Sequence, residues 1–277
     1  MSLNSHKLWV VATPLGNLGD LSPRARDVLA KVHIVLAEDT RRAGIFMQRL
    51  ALPGKSFLSL YEHNEEQRVK TVLNLLDQKG DIALISSAGS PLIADPGYRL
   101  VRACREAGFQ VVPVPGPSAP VAALMASGLP PYPFSFLGFL PRKAGEKKRL
   151  FSGFALVKTT LVFFERRNRL WQTLEIAKQI LGPREVCIAR EMSKEHEEFI
   201  YLNLENELEY SADLKGEITV IIAPGRETEL TAADKVHKLM QDELLTGRTT
   251  RQIVRRVHEQ VQGWTTKELY QIYLQIK

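Results

Sequence analysis

Four charged side chains crowd into five positions at residues 38–42 of this 277-residue chain, directly after a short apolar run. The carboxylates of Glu38 and Asp39 could serve as a general base, because a positioned carboxylate can take a proton from a hydroxyl group. Arg41 could hold a phosphate or stabilise a developing negative charge. A salt-bridged helix start would account for the same residues equally well, so both interpretations stay open.

A second group of candidate residues, within residues 86–91, consists of small side chains. Ser87, Ala88, Gly89 and Ser90 follow an apolar run that predicts a buried strand of a parallel sheet. Residues this small let backbone N–H and C=O groups touch a ligand directly. A tight turn without any ligand uses the same residues, so the loop alone does not separate a binding site from a turn.

Three strand-to-loop junctions must position these residues. Apolar runs at residues 8–12, 82–85 and 110–114 predict buried strands, each followed by a loop of glycine, proline and small residues. Helices follow, as at Pro23, which begins a predicted helix with Ser22 as its N-cap. Because open α/β sheets bind ligands at the carboxyl ends of their strands, the three loops predict a ligand crevice.

The length of the chain and its Gly- and Pro-rich segments predict two domains and an extension. Residues 1–127 are predicted to form an N-terminal α/β domain, and residues 128–133 mark a linker. A second α/β series predicts a second α/β domain at residues 128–226. Residues 227–277 are predicted to form a small helical extension of two or three short helices.

Composition predicts a cytoplasmic protein and leaves open whether its partner is a polyanion. Apolar residues make up 44% of the chain, no apolar span is long enough for a bilayer, and no signal-peptide pattern opens the sequence. Cys104 and Cys187 are predicted to be buried free thiols of a reducing compartment. Lysine and arginine exceed aspartate and glutamate, 37 to 31, and they cluster, as at residues 41–42, 147–149 and 255–256. Such clusters favour a polyanion, although solvated surfaces would explain them equally well.

Several familiar motifs are incomplete. The first predicted strand is followed by only Gly16 and Gly19, short of the G-x-G-x-x-G pattern of dinucleotide sites. Lys55 and Ser56 follow a glycine, but a P-loop would need a further glycine where Arg49 stands. The six histidines lack metal-ligand spacing, so no metal site is predicted.

Three strings at the predicted strand ends carry a family resemblance: TPLGNLGDL at residues 13–21, AEDTRR at 37–42 and SSAGSPLIADPG at 86–97. Together they resemble the tetrapyrrole-methylase-like superfamily of S-adenosylmethionine enzymes. Within it they resemble the branch that methylates a ribose 2′-hydroxyl of small-subunit ribosomal RNA. The match covers roughly residues 8 to 225, with PVPGPSA, GFLPRK, TLVFFE and ARE in the expected order.

The resemblance implies an α/β fold, with the cofactor S-adenosyl-L-methionine in the cleft between two α/β domains, and assembly as a homodimer. One position departs from the family, which usually has aspartate where this chain has Ser87. A neutral hydroxyl accepts a weaker hydrogen bond than a carboxylate, so a weakened cofactor contact is expected there. The implied cofactor-binding residues are Pro14, Leu15, Ser87, Ala88, Gly89, Ser90, Ser118, Ala119, Phe164, Ala189 and Arg190.

The functional hypothesis is methylation of a cytidine ribose in small-subunit ribosomal RNA, with that RNA or the small ribosomal subunit as partner. Two alternatives remain: methylation of a small tetrapyrrole precursor, and a non-catalytic RNA- or ribosome-binding protein. The basic clusters favour RNA over a tetrapyrrole. The predicted RNA-binding residues are Arg42, Arg142, Lys143, Arg251, Arg255 and Arg256.

The carboxyl-terminal residues predict amphipathic helices. Ile253 and Val257 lie near one helical face, whereas Arg251 lies off it, so the basic face either contacts RNA phosphates or is simply solvated. Thr231 and Thr265, each with an acid three residues later, are predicted to cap helices.

Overall fold

The first sheet is parallel and lies in the amino-terminal part of the chain. The computed structural model describes residues 6–206, 214–225, 231–261 and 263–276. The strands of this sheet are β1 Lys7–Val11, β2 Ile34–Ala37, β3 Ser56–Ser59, β4 Ile82–Ile85 and β5 Gln110–Val114. They pair in the order β3-β2-β4-β1-β5, and every pair is parallel.

Helices cover both faces of this sheet, which explains the continuous apolar character of its central strands. Val35 and Ala83 belong to the core cluster on one face, whereas Leu36 and Leu84 belong to the cluster on the other. A parallel sheet buried on both faces produces this pattern, and the three predicted strand runs are confirmed to within a residue. The helices are α1 Pro23–Lys31, α2 Thr40–Arg49, α3 Glu65–Lys79, α4 Tyr98–Glu106 and α5 Ala119–Ala126.

The start of α4 is capped by a side chain from another helix. Gly97, the residue before α4, has no side chain with which to cap it. The buried carboxylate of Glu65 accepts hydrogen bonds from the backbone N–H of Arg99 at 2.8 Å and of Leu100 at 3.2 Å. Because the first N–H groups of a helix have no partner within it, this contact joins α3 to α4. It also fixes the end of the small-residue loop that precedes α4.

The second sheet is mixed. Its strands are β6 Phe134–Phe139, β7 Thr160–Glu165, β8 Glu185–Arg190, β9 Glu198–Asn203 and β10 Ile218–Ile222, and they pair in the order β6-β7-β10-β8-β9. Only β6 and β7 pair in parallel. Helices α6 Ala144–Phe154 and α7 Leu170–Leu181 pack on one face, and α5 packs on the other through Ala123 and Leu124. The α/β class is therefore confirmed, and the boundary after residue 127 stays a prediction.

The expectation that residues 147–149 all face solvent or a polyanion is wrong for Lys147. These residues belong to α6, which buries Lys147 completely and leaves Lys148 and Arg149 exposed. Successive residues of a helix point in different directions, so a run of three cations cannot share one surface. The buried ammonium group meets the carboxylate of Glu165.

Both cysteines are free of disulfides and buried, as predicted. Burial raises the pKa of the Cys104 thiol and of the Cys187 thiol to about 11. Neither thiol is therefore ionised enough at neutral pH to act as a nucleophile.

The chain divides into two compact units, Met1–Pro224, which holds both sheets, and Gly225–Lys277. The second unit contains α8 Ala233–Leu244, α9 Thr250–Gln260 and α10 Thr266–Ile276. Their apolar faces meet in one core cluster that includes Ile253 and Val257, so the predicted helical extension is confirmed. Among the described helices of the whole chain, none has the length and apolar character needed to cross a bilayer.

One of the two predicted caps in this unit is confirmed. The backbone N–H of Glu268 donates to the Thr265 hydroxyl at 3.2 Å, and the Glu268 carboxylate accepts from the Thr265 N–H at 2.7 Å. The prediction for Thr231 is wrong, because Ala232 is the residue that precedes α8. The carbonyl of Thr231 instead accepts a hydrogen bond from the Trp264 indole at 2.7 Å, which connects the start of α8 to the segment before α10.

Replacing Glu65 with alanine should destabilise the protein by about 1–3 kcal/mol, because it removes the acceptor of the buried Leu100 N–H and of the partly buried Arg99 N–H at the start of α4. Urea unfolding of Glu65→Ala measures the loss. Glu66→Ala is the matched control, since the Glu66 side chain is 89% exposed and its closest cation, Arg99, is 3.7 Å away. The control should change stability by about 0.5 kcal/mol or less, and equal losses in the two variants would contradict the capping role.

Candidate functional site

The loops that follow β1 and β4 are joined by a short antiparallel bridge. The Thr13 N–H donates to the Gly89 carbonyl at 2.9 Å, and the Gly89 N–H donates to the Thr13 carbonyl at 3.0 Å. The Ser86 hydroxyl donates to the same Gly89 carbonyl at 2.7 Å. Gly89 has φ +78°, and a Cβ on it would lie 3.1 Å from Cδ2 of Leu15. The bridge therefore depends on glycine at this position.

The loop after β5 joins the same assembly. The Ser90 hydroxyl donates to the Pro117 carbonyl at 3.0 Å. A Cβ on Gly116 would lie only 2.9 Å from the Cβ of Ala12, so this loop passes closely against the end of β1. The three loops that predict a ligand crevice thus lie together at the carboxyl edge of the first sheet.

A cavity of about 660 Å³ opens beside these loops, within the range of roughly 300–1,000 Å³ for small-molecule sites. Its other side comes from the second sheet, including Phe139 and the segment 216–219. The cavity therefore lies between the two sheets of the Met1–Pro224 unit. Of the predicted cofactor-binding residues, those that line it are Leu15, Ser87, Ala88, Ala119 and Phe164.

The other predicted cofactor-binding residues do not line this cavity, and their contacts with a cofactor stay predictions. The Ala189 side chain is buried in the core between α5 and the second sheet. Nε of Arg190 donates to the Glu198 carboxylate at 2.9 Å. The residues outside the lining are Pro14, Gly89, Ser90, Ser118, Ala189 and Arg190.

The charged residues at positions 38–42 cap a helix and also line a second cavity. Oδ1 of Asp39 accepts hydrogen bonds from the backbone N–H of Arg41 at 2.9 Å and of Arg42 at 3.2 Å, so the helix-start interpretation holds for Asp39. Glu38, Asp39 and Arg41 also line a cavity of about 520 Å³, to which Ser87 contributes as well. Ser87 is thus common to both cavities. The catalytic roles of the three charged residues stay predictions.

Asp95 lines the larger cavity, and the sequence analysis assigns it no role. Burial, with a smaller contribution from the charge of Glu38, raises the pKa of its carboxyl from 3.8 to about 6. The loop that carries it contains three residues with positive φ: Gly89 at +78°, Leu92 at +70° and Gly97 at +128°. A carboxyl group that lines a cavity and has a pKa close to neutral is a candidate proton acceptor or a candidate partner for a cation. The sequence feature that could have identified Asp95 is its position near the end of the SSAGSPLIADPG string.

An aromatic wall faces the small-residue loops. The ring centroid of Phe164 lies 5.2 Å from that of Phe139 and 5.1 Å from that of Phe136. Phe139 and Phe164 both line the larger cavity, although only Phe164 is predicted from the sequence. Aromatic faces of this kind stack on flat rings and attract cations.

Glu165, at the end of β7, is the centre of a buried charge network that the sequence analysis misses. Its carboxylate lies 3.2 Å from Nζ of Lys147 and 2.5 Å from Nη2 of Arg169. The Thr173 hydroxyl donates to it at 2.7 Å and also bonds to Lys147. Charges are retained away from water only where partners compensate them. The network joins α6, β7 and α7 at the segment 166–168, which lines the larger cavity.

Three of the predicted RNA-binding residues lie in the unit that holds the sheets. Arg42 lines the second cavity, with its Nε 3.8 Å from the Asp39 carboxylate. Arg142 and Lys143 are exposed at the start of α6, where Lys143 lies 3.5 Å from Glu146. Their contacts with RNA stay predictions.

The other three lie in the helical unit and differ in their surroundings. Arg251 is exposed. Arg255 pairs with Glu259 at 3.0 Å on the surface of α9. Arg256 pairs at 2.9 Å with Glu243, whose side chain is only 11% exposed, and so connects α9 to the end of α8. Arg256 therefore has a structural role, and the RNA contacts of all three stay predictions.

The α/β fold of this chain is shared with known methyltransferases. The family model described as tetrapyrrole (corrin/porphyrin) methylases matches residues 7–208, and the chain belongs to this family. Its relatives include proteins named ribosomal RNA small subunit methyltransferase I. The one from Vibrio cholerae is 42% identical over 220 residues, covering 78% of this chain and 76% of the relative. The one from Pasteurella multocida is 37% identical over 273 residues, covering 97% of this chain and 96% of the relative.

Solved structures of methyltransferases share the fold. The methyltransferase CobJ has a TM-score of 0.63 at 18% identity, covering 80% of this chain and 95% of CobJ. Uroporphyrin-III C-methyltransferase from Thermus thermophilus, in complex with S-adenosylhomocysteine, has a TM-score of 0.56 at 19% identity, covering 79% of this chain and 97% of that enzyme. At these identities the likeness concerns the fold.

Replacing Asp95 with asparagine should stabilise the protein at pH 7.5. Folding raises the pKa of the Asp95 carboxyl from 3.8 to about 6. The contribution of this carboxyl to the free energy of unfolding is therefore fully present below pH 3.8, where it is protonated in both states. That contribution is lost as the pH rises through 6, because the carboxyl must then ionise inside the folded protein. After allowance for solvent screening, the gain at pH 7.5 should be about 1–2 kcal/mol. Thermal melts at pH 7.5 and pH 4 measure it, and at pH 4 the gain should fall to about 0.5 kcal/mol or less.

Asp77→Asn is the control, because Asp77 is exposed on α3. It should melt with the parent protein at both pH values. If Asp95→Asn is no more stable than the parent at pH 7.5, the Asp95 carboxyl is not held in an unfavourable environment.

Proposed function

We propose that this protein is an S-adenosylmethionine-dependent methyltransferase that modifies the ribose 2′-hydroxyl of a cytidine in small-subunit ribosomal RNA. The observation that carries the proposal is that the larger cavity and the charged second cavity share Ser87. A cofactor in the first and a nucleoside in the second would meet at that residue. The names of the Vibrio cholerae and Pasteurella multocida relatives support the RNA substrate, and the ligand of the Thermus thermophilus enzyme supports the cofactor.

The residues of the larger cavity fit S-adenosylmethionine. Ala88 and Ala119 leave the backbone accessible to the cofactor, and Phe164 offers an aromatic face to an adenine ring or a sulfonium cation. Asp95 supplies a carboxylate to a cavity in which Ser87 stands where the family usually has aspartate. A cation beside Asp95 favours its ionised form, so cofactor binding should lower the pKa that burial raises.

When bound, the cofactor supplies a methyl group on a positively charged sulfur, which makes methyl transfer an in-line displacement. The residues of the chain align the ribose hydroxyl, exclude water and accept the proton of that hydroxyl. Asp95 is the first proposed proton acceptor, because burial and the charge of Glu38 raise the pKa of its carboxyl to about 6. Glu38 is the second, because it lines the cavity beside Ser87 that would hold the nucleoside. Asp39 is a weaker candidate, since its Oδ1 is occupied by the start of α2. Arg41 is proposed to offset negative charge on the reacting oxygen.

The proposal also covers the partner, the location and the assembly of the protein. The RNA or the small ribosomal subunit would be held by the exposed cations named above, through phosphate contacts that weaken as salt rises. The protein is proposed to be a cytoplasmic homodimer, with domain boundaries near residues 127 and 226. The support for these points is the family resemblance and the cation clusters of a chain with net charge +6.

The function is tested by methyl transfer from S-adenosylmethionine with a labelled methyl group. Three acceptors are offered in parallel: assembled small ribosomal subunits, naked small-subunit RNA and a tetrapyrrole precursor. We expect label in the RNA, and mass mapping of nuclease digests should locate it on the 2′-oxygen of one cytidine. Label on the tetrapyrrole alone would support the alternative substrate. Binding of RNA without any transfer would support a non-catalytic protein.

Replacing Gly89 with alanine should weaken cofactor binding by on the order of tenfold, equivalent to about 1.4 kcal/mol. The added Cβ meets Leu15, which lines the cavity, at 3.1 Å. Displacement of Leu15 or of the bridge to Thr13 should distort the small-residue loops. Calorimetric titration with S-adenosylhomocysteine measures the effect.

Gly54→Ala is the matched control. Gly54 has φ +79°, almost the same as Gly89, but nothing lies within 4 Å of the added Cβ. In both variants a non-glycine residue in the left-handed region destabilises the backbone by about 1–2 kcal/mol. The two variants therefore differ only in the contact between the added Cβ and Leu15. If Gly89→Ala binds the cofactor as tightly as Gly54→Ala, the cavity beside this bridge is not the cofactor site.

A further inference from the structure

The segment 166–168 supplies a positively charged wall to the larger cavity. Arg166, Arg167 and Asn168 are exposed and line the cavity directly after the last residue of β7. Helix α7 begins at Leu170, so the positive end of its dipole lies at the same wall. An anion at this wall would meet both the guanidinium groups and the helix end.

Two acidic groups of the cavity lining beside this wall, Glu165 and Glu217, are already engaged. The Glu165 carboxylate is compensated by two cations, Lys147 and Arg169, which leaves the buried network with a net positive charge. Glu217, another acid of the cavity lining, lies 3.0 Å from Nζ of Lys194. Neither carboxylate is therefore available to neutralise the guanidinium of Arg166.

Arg166 is held by its backbone while its side chain is left for a ligand. Its N–H donates to Oε1 of Glu165 at 2.8 Å, and its carbonyl accepts from the N–H of Arg169 at 2.9 Å. Within the described parts of the chain, the Arg166 guanidinium makes no ion pair or hydrogen bond. An exposed guanidinium on a fixed backbone is suited to bidentate recognition of a phosphate.

We propose that Arg166 binds a backbone phosphate of the RNA next to the ribose that is methylated, and that the buried Lys147–Glu165–Arg169 network positions it. This inference rests on the proposed function. In RNA the carbon beside each internal 2′-hydroxyl carries the 3′-phosphate, so a ribose that meets the cofactor at Ser87, where the two cavities join, brings that anion to the mouth of the larger cavity. The uncompensated guanidinium at the cavity wall meets this requirement. The predicted RNA-binding cations lie elsewhere in the chain and do not include Arg166.

The test measures RNA affinity against salt concentration by fluorescence anisotropy, with a labelled fragment of small-subunit ribosomal RNA. Arg166→Gln should weaken binding several-fold at low salt and reduce the slope of log affinity against log salt by roughly 0.7 per lost phosphate contact. Arg166→Lys keeps the charge and should keep the parental slope, although it loses bidentate geometry. Arg105→Gln, on the exposed side of α4 and outside the cavity lining, is the matched control and should keep the parental slope and affinity.

Titration of the same variants with S-adenosylhomocysteine separates RNA from the cofactor. We expect Arg166→Gln to bind it as the parent does. A parental salt slope in Arg166→Gln overturns the proposal, and a loss of S-adenosylhomocysteine affinity with an unchanged slope would assign Arg166 to the cofactor carboxylate instead. If the parent protein itself shows no salt-dependent RNA binding, the proposed function fails and the inference falls with it. A changed slope in Arg105→Gln equal to that of Arg166→Gln would also overturn it, because the effect would then be one of overall charge.

Discussion

The reciprocal hydrogen bonds between Thr13 and Gly89 are the constraint on which the cavity depends. They are possible because β1 and β4 are neighbours in the first sheet, so that the loops after them leave the same edge side by side. The bridge needs a left-handed residue without a side chain, and Gly89 meets both conditions. Ser90 then connects the bridge to the loop after β5. The result is a floor of small residues held together by hydrogen bonds to the backbone, from N–H groups and from two serine hydroxyls.

The electrostatic character of the site follows from what surrounds that floor. Burial makes it costly to ionise Asp95 in the larger cavity, and the charge of Glu38, which lines the second cavity, adds to that cost. A cationic cofactor would relieve this cost, which is a physical reason for such a cavity to prefer one. On the opposite wall, the Glu165 network is overcompensated by cations and leaves Arg166 available. Negative groups thus line one side of the cavity and positive groups another, as a cationic cofactor and an anionic nucleic acid would require.

Much of the fold could be predicted because the strands of the first sheet are buried on both faces and are bounded by glycine and proline. Residues such as Leu84 contribute to apolar runs that no solvated element would tolerate. The site was predicted less completely, since burial of a charged residue depends on partners distant in sequence. Lys147 stands in a run of cations, and only its contact with Glu165, on another element, explains its burial. Asp95 was missed for the same reason: its environment comes from a loop that includes Leu92 in the left-handed region and from the charge of Glu38.

A crystal structure of the protein with S-adenosylhomocysteine tests the central claim most directly. The central claim is that the Thr13–Gly89 bridge shapes the proposed cofactor cavity. The ligand should therefore lie against Ala88, Ala119 and Phe164, with the Thr13–Gly89 hydrogen bonds intact. Its sulfur should face the junction with the second cavity, on the side of Ser87. Ligand density in the second cavity alone, or bound ligand with the bridge broken, would contradict the account.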